Sequence, residues 1–134
     1  MIIVVRGTPA PQGSKRHVGG GRMIEMSKAV GPWREAVRAE TQRTMAATRL
    51  LTMDGPVMVR ITFYLARPKS APKKRVVPAG RPDIDKLARA VLDGLTEGGA
   101  WLDDGQVVTL HASKVYATED FAPGCTIEIG LFQS

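Results

Sequence analysis

Cysteine is almost missing from this sequence of 134 residues. Cys125 stands alone, so no internal disulfide can form and no pair of thiolates is present to hold zinc. A lone thiol of this kind is expected to be buried and reduced. No run of about 18 apolar residues occurs, and the short apolar stretch after Met1 has no basic segment ahead of it. Neither a membrane span nor an export signal is implied, and a cytoplasmic protein is expected. The phosphate-cradling pattern GxxxxGK[ST] is absent, and Gly19-Gly20-Gly21 does not lie between a strand and a helix, so a nucleotide-binding loop is not expected. His17 and His111 have no second histidine at ligand spacing; they read as a surface or DNA-contacting residue and a plain strand position. Internal repeats are missing too, and the length fits a single domain over 1–134.

Acidic residues are missing from two stretches. None precedes Glu25, where Arg6, Lys15, Arg16 and Arg22 lie, and none occurs from Arg67 to Arg81, which holds Arg67, Lys69, Lys73, Lys74, Arg75 and Arg81. The net charge is +6 and the isoelectric point is near 9.9. Cations clustered in this way suit a polyanionic partner, because neutralising phosphates releases counterions. Six of the 13 acids lie between Asp83 and Asp104, an acidic centre between basic flanks.

Several segments carry secondary-structure signals. Ile2 to Val5 reads as a buried strand, followed by a glycine-, proline- and base-rich loop or loose hairpin over Gly7 to Arg22. From Pro32 onward, Trp33, Ala36, Val37, Thr44, Met45 and Thr48 recur at roughly helical spacing, which makes Trp33 a core anchor rather than a base-stacking platform. Val57, Val59, Ile61, Phe63 and Leu65 alternate with Met58, Arg60, Thr62 and Tyr64, as a half-buried strand requires. A second helix is expected from Asp83 to Thr96 with Ile84, Leu87, Val91, Leu92 and Leu95 on its core face, ended by Gly98-Gly99. Strands over Gln106 to Tyr116 and Cys125 to Phe132 complete the order β, α, β, α, β, β. The expected fold is a compact α/β domain, a small mixed sheet with two main helices.

The chemistry gathers at two points. In Arg81-Pro82-Asp83-Ile84-Asp85-Lys86, proline disfavours helix at Arg81 and so puts Asp83 at the N-cap or in the first turn. A single aspartate there could merely cap the helix. Asp103-Asp104 follow shortly after the helix, and if the next strand starts beside the helix's first turn, three carboxylates converge. Such a cluster repels itself unless a cation joins it, and oxygen-only ligands suit Mg²⁺ or Mn²⁺ better than zinc. A calcium-binding EF-hand loop is excluded, because Leu87 and Ala88 stand where acidic or amide ligands are needed. Mg²⁺ among basic loops suits phosphodiester hydrolysis. Arg89, one turn after Asp85, either stabilises charge on the phosphorane or forms an i,i+4 ion pair with Asp85 or Asp93.

Pro11-Gln12-Gly13-Ser14-Lys15, Arg67-Pro68-Lys69, Pro82-Asp83-Ile84-Asp85-Lys86-Leu87, Leu92-Asp93-Gly94-Leu95 and Trp101-Leu102-Asp103-Asp104-Gly105-Gln106-Val107-Val108 together resemble the RusA family of Holliday junction resolvases. The likeness implies a RusA-like fold and a small magnesium-dependent homodimeric nuclease, with Mn²⁺ as a substitute metal, acting on four-way DNA junctions in recombination and repair. Members of that family are often carried by phages and prophages. By resemblance Asp83, Asp85 and Asp104 are the metal-binding, catalytic carboxylates and Asp103 a neighbour that orients or supplements them. Lys15, Arg16, Arg22, Lys69, Lys73, Lys74, Arg75, Arg81, Lys86 and Lys114 are the expected DNA contacts. Lys114 matches a lysine usual on the family's following strand. Two positions depart from the family pattern: Lys86 stands where asparagine is common, and Arg89 replaces a lysine. Arginine keeps the charge but is too basic to release a proton readily, which gives Arg89 an electrostatic role. A nuclease for flaps or forks and a non-catalytic nucleic-acid-binding protein are the competing functions.

Overall fold

The computed structural model describes residues 1–13, the backbone of 15–18 and 22–25, and residues 28–133. Its elements are β1 (Ile2–Arg6), β2 (Lys15–Val18), β3 (Arg22–Glu25), α1 (Val30–Thr48), β4 (Val57–Leu65), α2 (Ile84–Glu97), a 3-10 turn (Asp104–Gln106), β5 (Val107–Tyr116) and β6 (Gly124–Leu131). Four strands make one mixed sheet in the order β1-β6-β4-β5, antiparallel except for the parallel pair β4/β5. The glycine-rich loop carries the separate hairpin β2/β3.

Alternation decides which face of the sheet is buried. Val57, Val59, Ile61, Phe63 and Leu65 point inward with Ile127 and Ile129 of β6, while Met58 and Arg60 face solvent. β1 alternates as well, with Ile3 and Val5 buried but Ile2 and Val4 exposed, so the expectation of a wholly buried strand is corrected. Leu87, Val91 and Leu95 of α2 fill the inner face together with Trp33 and Val37 of α1. Ile84, expected in the core, is exposed at the helix start. The α1 stripe is also revised: Val30, Trp33, Val37 and Thr41 are the buried positions, Ala36 and Met45 pack against the core partly buried, and Thr48 is exposed.

The two helices cross closely because α2 offers glycine there. A Cβ on Gly94 would lie 2.7 Å from Val37 Cγ1, and one on Gly98 2.7 Å from Thr41 Cβ. No helix among the described residues is long and apolar enough to cross a membrane.

Parallel pairing fixes where the site residues go. Val57 aligns with Val107 and Leu65 with Tyr116, so β4 and β5 run from one end of the sheet to the other side by side. The strap over 66–83 leaves the far end of β4, and α2 must return the chain to the near end before β5 can start. The start of α2 and the start of β5 therefore lie at opposite ends of the sheet.

Candidate functional site

Asp83 is the N-cap residue of α2, as the preceding proline predicts, in an extended conformation. Its side chain makes no capping hydrogen bond, so the carboxylate is not consumed by the helix. Lys86 Nζ lies 3.9 Å from Asp83 Oδ2, a solvent-exposed pair of little energetic weight. Asp85, in the first turn, is exposed and makes no hydrogen bond or ion pair among the described residues. It borders an open groove of about 490 Å³ with Gln12, Lys86, Arg89, Leu92 and Leu110. Gln12 arrives there because its backbone N–H donates to the Lys86 carbonyl at 2.9 Å, while its side-chain oxygen accepts from Arg34 at 3.3 Å. The Pro11-Gln12-Gly13 segment thus packs along the acidic start of α2. Arg89 is exposed and pairs with neither Asp85 nor Asp93, which removes the ion-pair reading of that residue.

Asp103 and Asp104 occupy the other end of the helix. Trp101 is 1% exposed, and its indole N–H donates to Thr96 Oγ1 at 2.8 Å, which anchors the chain as it leaves α2. Asp103 then works structurally: its carboxylate accepts from the Gly105 N–H at 2.8 Å and takes part in a capping box with Gln106. Gln106 is the hub of the turn. Its Oε1 accepts from the Leu102 and Asp103 N–H groups, and its Nε2 donates to the Met53 and Gly55 carbonyls at 3.0 and 2.9 Å. The side-chain amide is saturated. Asp104, held between these partners, has no side-chain hydrogen bond and borders a cleft with Asp93, Glu97 and Leu102.

The expected convergence of three carboxylates is corrected by this geometry. No group of three or more His, Cys, Asp or Glu side chains among the described residues is placed to hold a metal ion. Asp104 lies beside the last turns of α2, roughly 12–20 Å along the helix axis from Asp85 at 1.5 Å per residue. The cause is the parallel β4/β5 pairing, which sends the start of β5 to the end of the sheet away from Asp83.

The basic strap is built against β5. Arg67 stacks its guanidinium 5.1 Å from the centre of the Tyr116 ring and donates to the carbonyls of Arg75 and Pro72, both at 2.7 Å. The sequence placed Arg67 only in the basic stretch and the family-like motif; its bonds are to main-chain carbonyls brought near by folding. The strap then presents Lys69, Lys73, Lys74, Arg75 and Arg81 to solvent with no acidic partner among the described residues. Lys114, expected to touch DNA, donates to the carbonyls of Gly80 and Pro82 at 2.7 and 2.9 Å. The side chains of Lys15, Arg16, His17 and Arg22 lie outside the described residues. Cys125 is buried as expected, and burial pushes its thiol up to about 12.

Residues 6–130 match the protein family described as Endodeoxyribonuclease RusA. Over 64 residues the chain is 38% identical to the crossover junction endodeoxyribonuclease RusA of Escherichia coli (strain K12), covering 48% of this chain and 44% of that protein. The crossover junction endodeoxyribonuclease of Enterobacteria phage 82 matches to the same extent. The uncharacterized protein YqaN of Bacillus subtilis (strain 168) is 35% identical over 75 residues, 48% of this chain and 52% of its own length. The chain spans about half the length of the curated relatives it matches. With the family match running from the end of β1 into β6, across both acidic segments and the strap, the chain belongs to the RusA endodeoxyribonuclease family.

Proposed function

We propose that the protein is a divalent-metal-dependent endonuclease that resolves four-way DNA junctions by paired nicks, as a two-fold dimer whose acidic sites are shared between copies. The observation that carries this reading is the freedom of Asp83, Asp85 and Asp104. None of the three is engaged in a helix cap or side-chain hydrogen bond, whereas Asp103 is. That freedom disfavours a non-catalytic protein whose acids serve only to cap.

The donor set suits Mg²⁺ or Mn²⁺, being carboxylate oxygen alone. Asp83 and Asp85 supply two of the three ligands at the start of α2, and the third stands at the helix's opposite end. A two-fold axis crossing the exposed side of α2 exchanges those ends, so Asp104 of a second copy meets Asp83 and Asp85 of the first. Leu110, Val108 and Leu102, exposed at 44, 55 and 84%, give this side apolar area to bury, and β5 is an unpaired sheet edge. The symmetry also matches a junction in which two equivalent strands are cut. A bound metal ion would polarise the scissile phosphate and lower the pKa of attacking water. The chain's own residues do the rest. Arg89 faces the groove beside Asp85 and stabilises charge on the phosphate, and the strap cations hold the flanking DNA backbone.

The test is cleavage of a fixed four-way junction, a flap, a fork and a linear duplex, with Mg²⁺, with Mn²⁺ and with neither. Paired symmetric nicks on the junction are expected, lost in Asp83→Asn and Asp104→Asn while binding persists. Undiminished cleavage by either variant refutes the site, and equal cleavage of flap or fork refutes the junction preference.

A further inference from the structure

Lys114 lies on β5, on the side of the strand that faces the start of α2. Its ammonium donates to the Gly80 carbonyl at 2.7 Å and to the Pro82 carbonyl at 2.9 Å. These two carbonyls bracket the last residues before Asp83. Two of the three N–H donors of a lysine are thereby used on main-chain acceptors, and the side chain is half-buried between strand and strap. Local structure does not hold Asp83 in place by itself: the residue is extended, and its carboxylate makes no cap. The strap before it has no regular secondary structure from Ala66 to Asp83.

We infer that Lys114 is a positioning residue for the Asp83–Asp85 pair rather than a DNA contact: it clamps the backbone just before Asp83 and so sets the direction of both carboxylates. The inference rests on the metal-site reading above. Charge-assisted bonds from an ammonium to carbonyls are about twice as strong as neutral ones, which suits a single side chain to fixing a loop. Removing a group that orients metal ligands costs about 10- to 100-fold in metal affinity or activity. Removing a cation that neutralises a phosphate weakens DNA binding instead, and lowers the salt dependence by about one unit of slope.

The experiment compares the wild type with Lys114→Met in two measurements. Mn²⁺ binding is followed by electron paramagnetic resonance, and metal-free junction binding is titrated with salt. A 10- to 100-fold weaker Mn²⁺ affinity is expected, with junction affinity and salt slope unchanged. A second variant, Lys114→Cys, is then alkylated with 2-bromoethylamine. The thiolate sulfur displaces bromide and rebuilds an ammonium of nearly lysine length; Cys125, buried with its thiol raised to about 12, is not expected to react. Alkylation should restore Mn²⁺ affinity. Unchanged Mn²⁺ affinity in Lys114→Met, or a fall in salt slope with weaker junction binding, overturns the inference while leaving the endonuclease reading intact. A wild-type protein that binds no Mn²⁺ overturns both.

Discussion

Gly94→Ala sets two effects of opposite sign against each other. Replacing glycine by alanine inside a helix ordinarily gains about 0.8–1 kcal/mol. At this position the new Cβ would stand 2.7 Å from Val37 Cγ1, 2.8 Å from Val37 Cβ and 3.0 Å from the Arg34 carbonyl oxygen. Val37 is 0% exposed within the core, and the Arg34 oxygen belongs to the backbone of α1. The helices must separate, at the roughly 1–3 kcal/mol typical of overpacking. The net expectation is a loss of up to about 2 kcal/mol, corresponding to a fall in Tm of up to roughly 10 °C for a domain of this size. Gly31→Ala is the control, since a Cβ there meets nothing within 4 Å. Thermal unfolding followed by circular dichroism should show Gly94→Ala below the wild type and Gly31→Ala at or above it. A Gly94→Ala protein as stable as Gly31→Ala would refute the close helix crossing, and with it the placement of α2 that sets both acidic segments.

Two other predictions concern charge. Replacing Lys73, Lys74 and Arg75 together by alanine should leave the fold intact, because all three are exposed, and should lower the slope of log junction affinity against log salt by about 2–3 units, near 0.9 for each phosphate no longer neutralised. An unchanged slope would remove the strap from the DNA interface. Cys125 should resist thiol-specific reagents at pH 8 and react fully in denaturant, as burial keeps the thiol neutral. Its raised value also predicts stability that is fully present below the ordinary thiol range and lost as pH climbs from about 9 toward 12. Subtracting the pH profile of Cys125→Ala isolates this contribution, and identical profiles would contradict it.

The alternation of β4 and the apolar face of α2 were legible because each is a local period written in consecutive residues. Thr41 was not: its burial depends on the helix crossing, and its hydroxyl, donating to the Val37 carbonyl at 2.7 Å, is satisfied inside the helix. Asp83 at the N-cap followed from Pro82, but whether its carboxylate caps the helix is a matter of side-chain direction that the sequence does not contain. The distance between Asp85 and Asp104 depends on β4 and β5 pairing in parallel, a contact between segments some 50 residues apart. The bonding roles of Gln106 and Lys114 were not legible for a related reason. Both act by bonding main-chain carbonyls, of Met53 and Gly55 or of Gly80 and Pro82, whose nearness is created by the fold.

Separation of the carboxylates within one chain makes sharing between copies the central claim, and subunit complementation tests it directly. Asp83→Asn and Asp104→Asn proteins, each inactive alone, are mixed, unfolded and refolded together. Shared sites leave every mixed dimer with one intact set, Asp83 and Asp85 from one copy and Asp104 from the other. Random pairing makes about half the dimers mixed, so nicking of the junction should return to about a quarter of the wild-type level, as single rather than paired cuts. Sites built within one chain would leave every site in the mixture with one asparagine, and no recovery of nicking would contradict the shared arrangement.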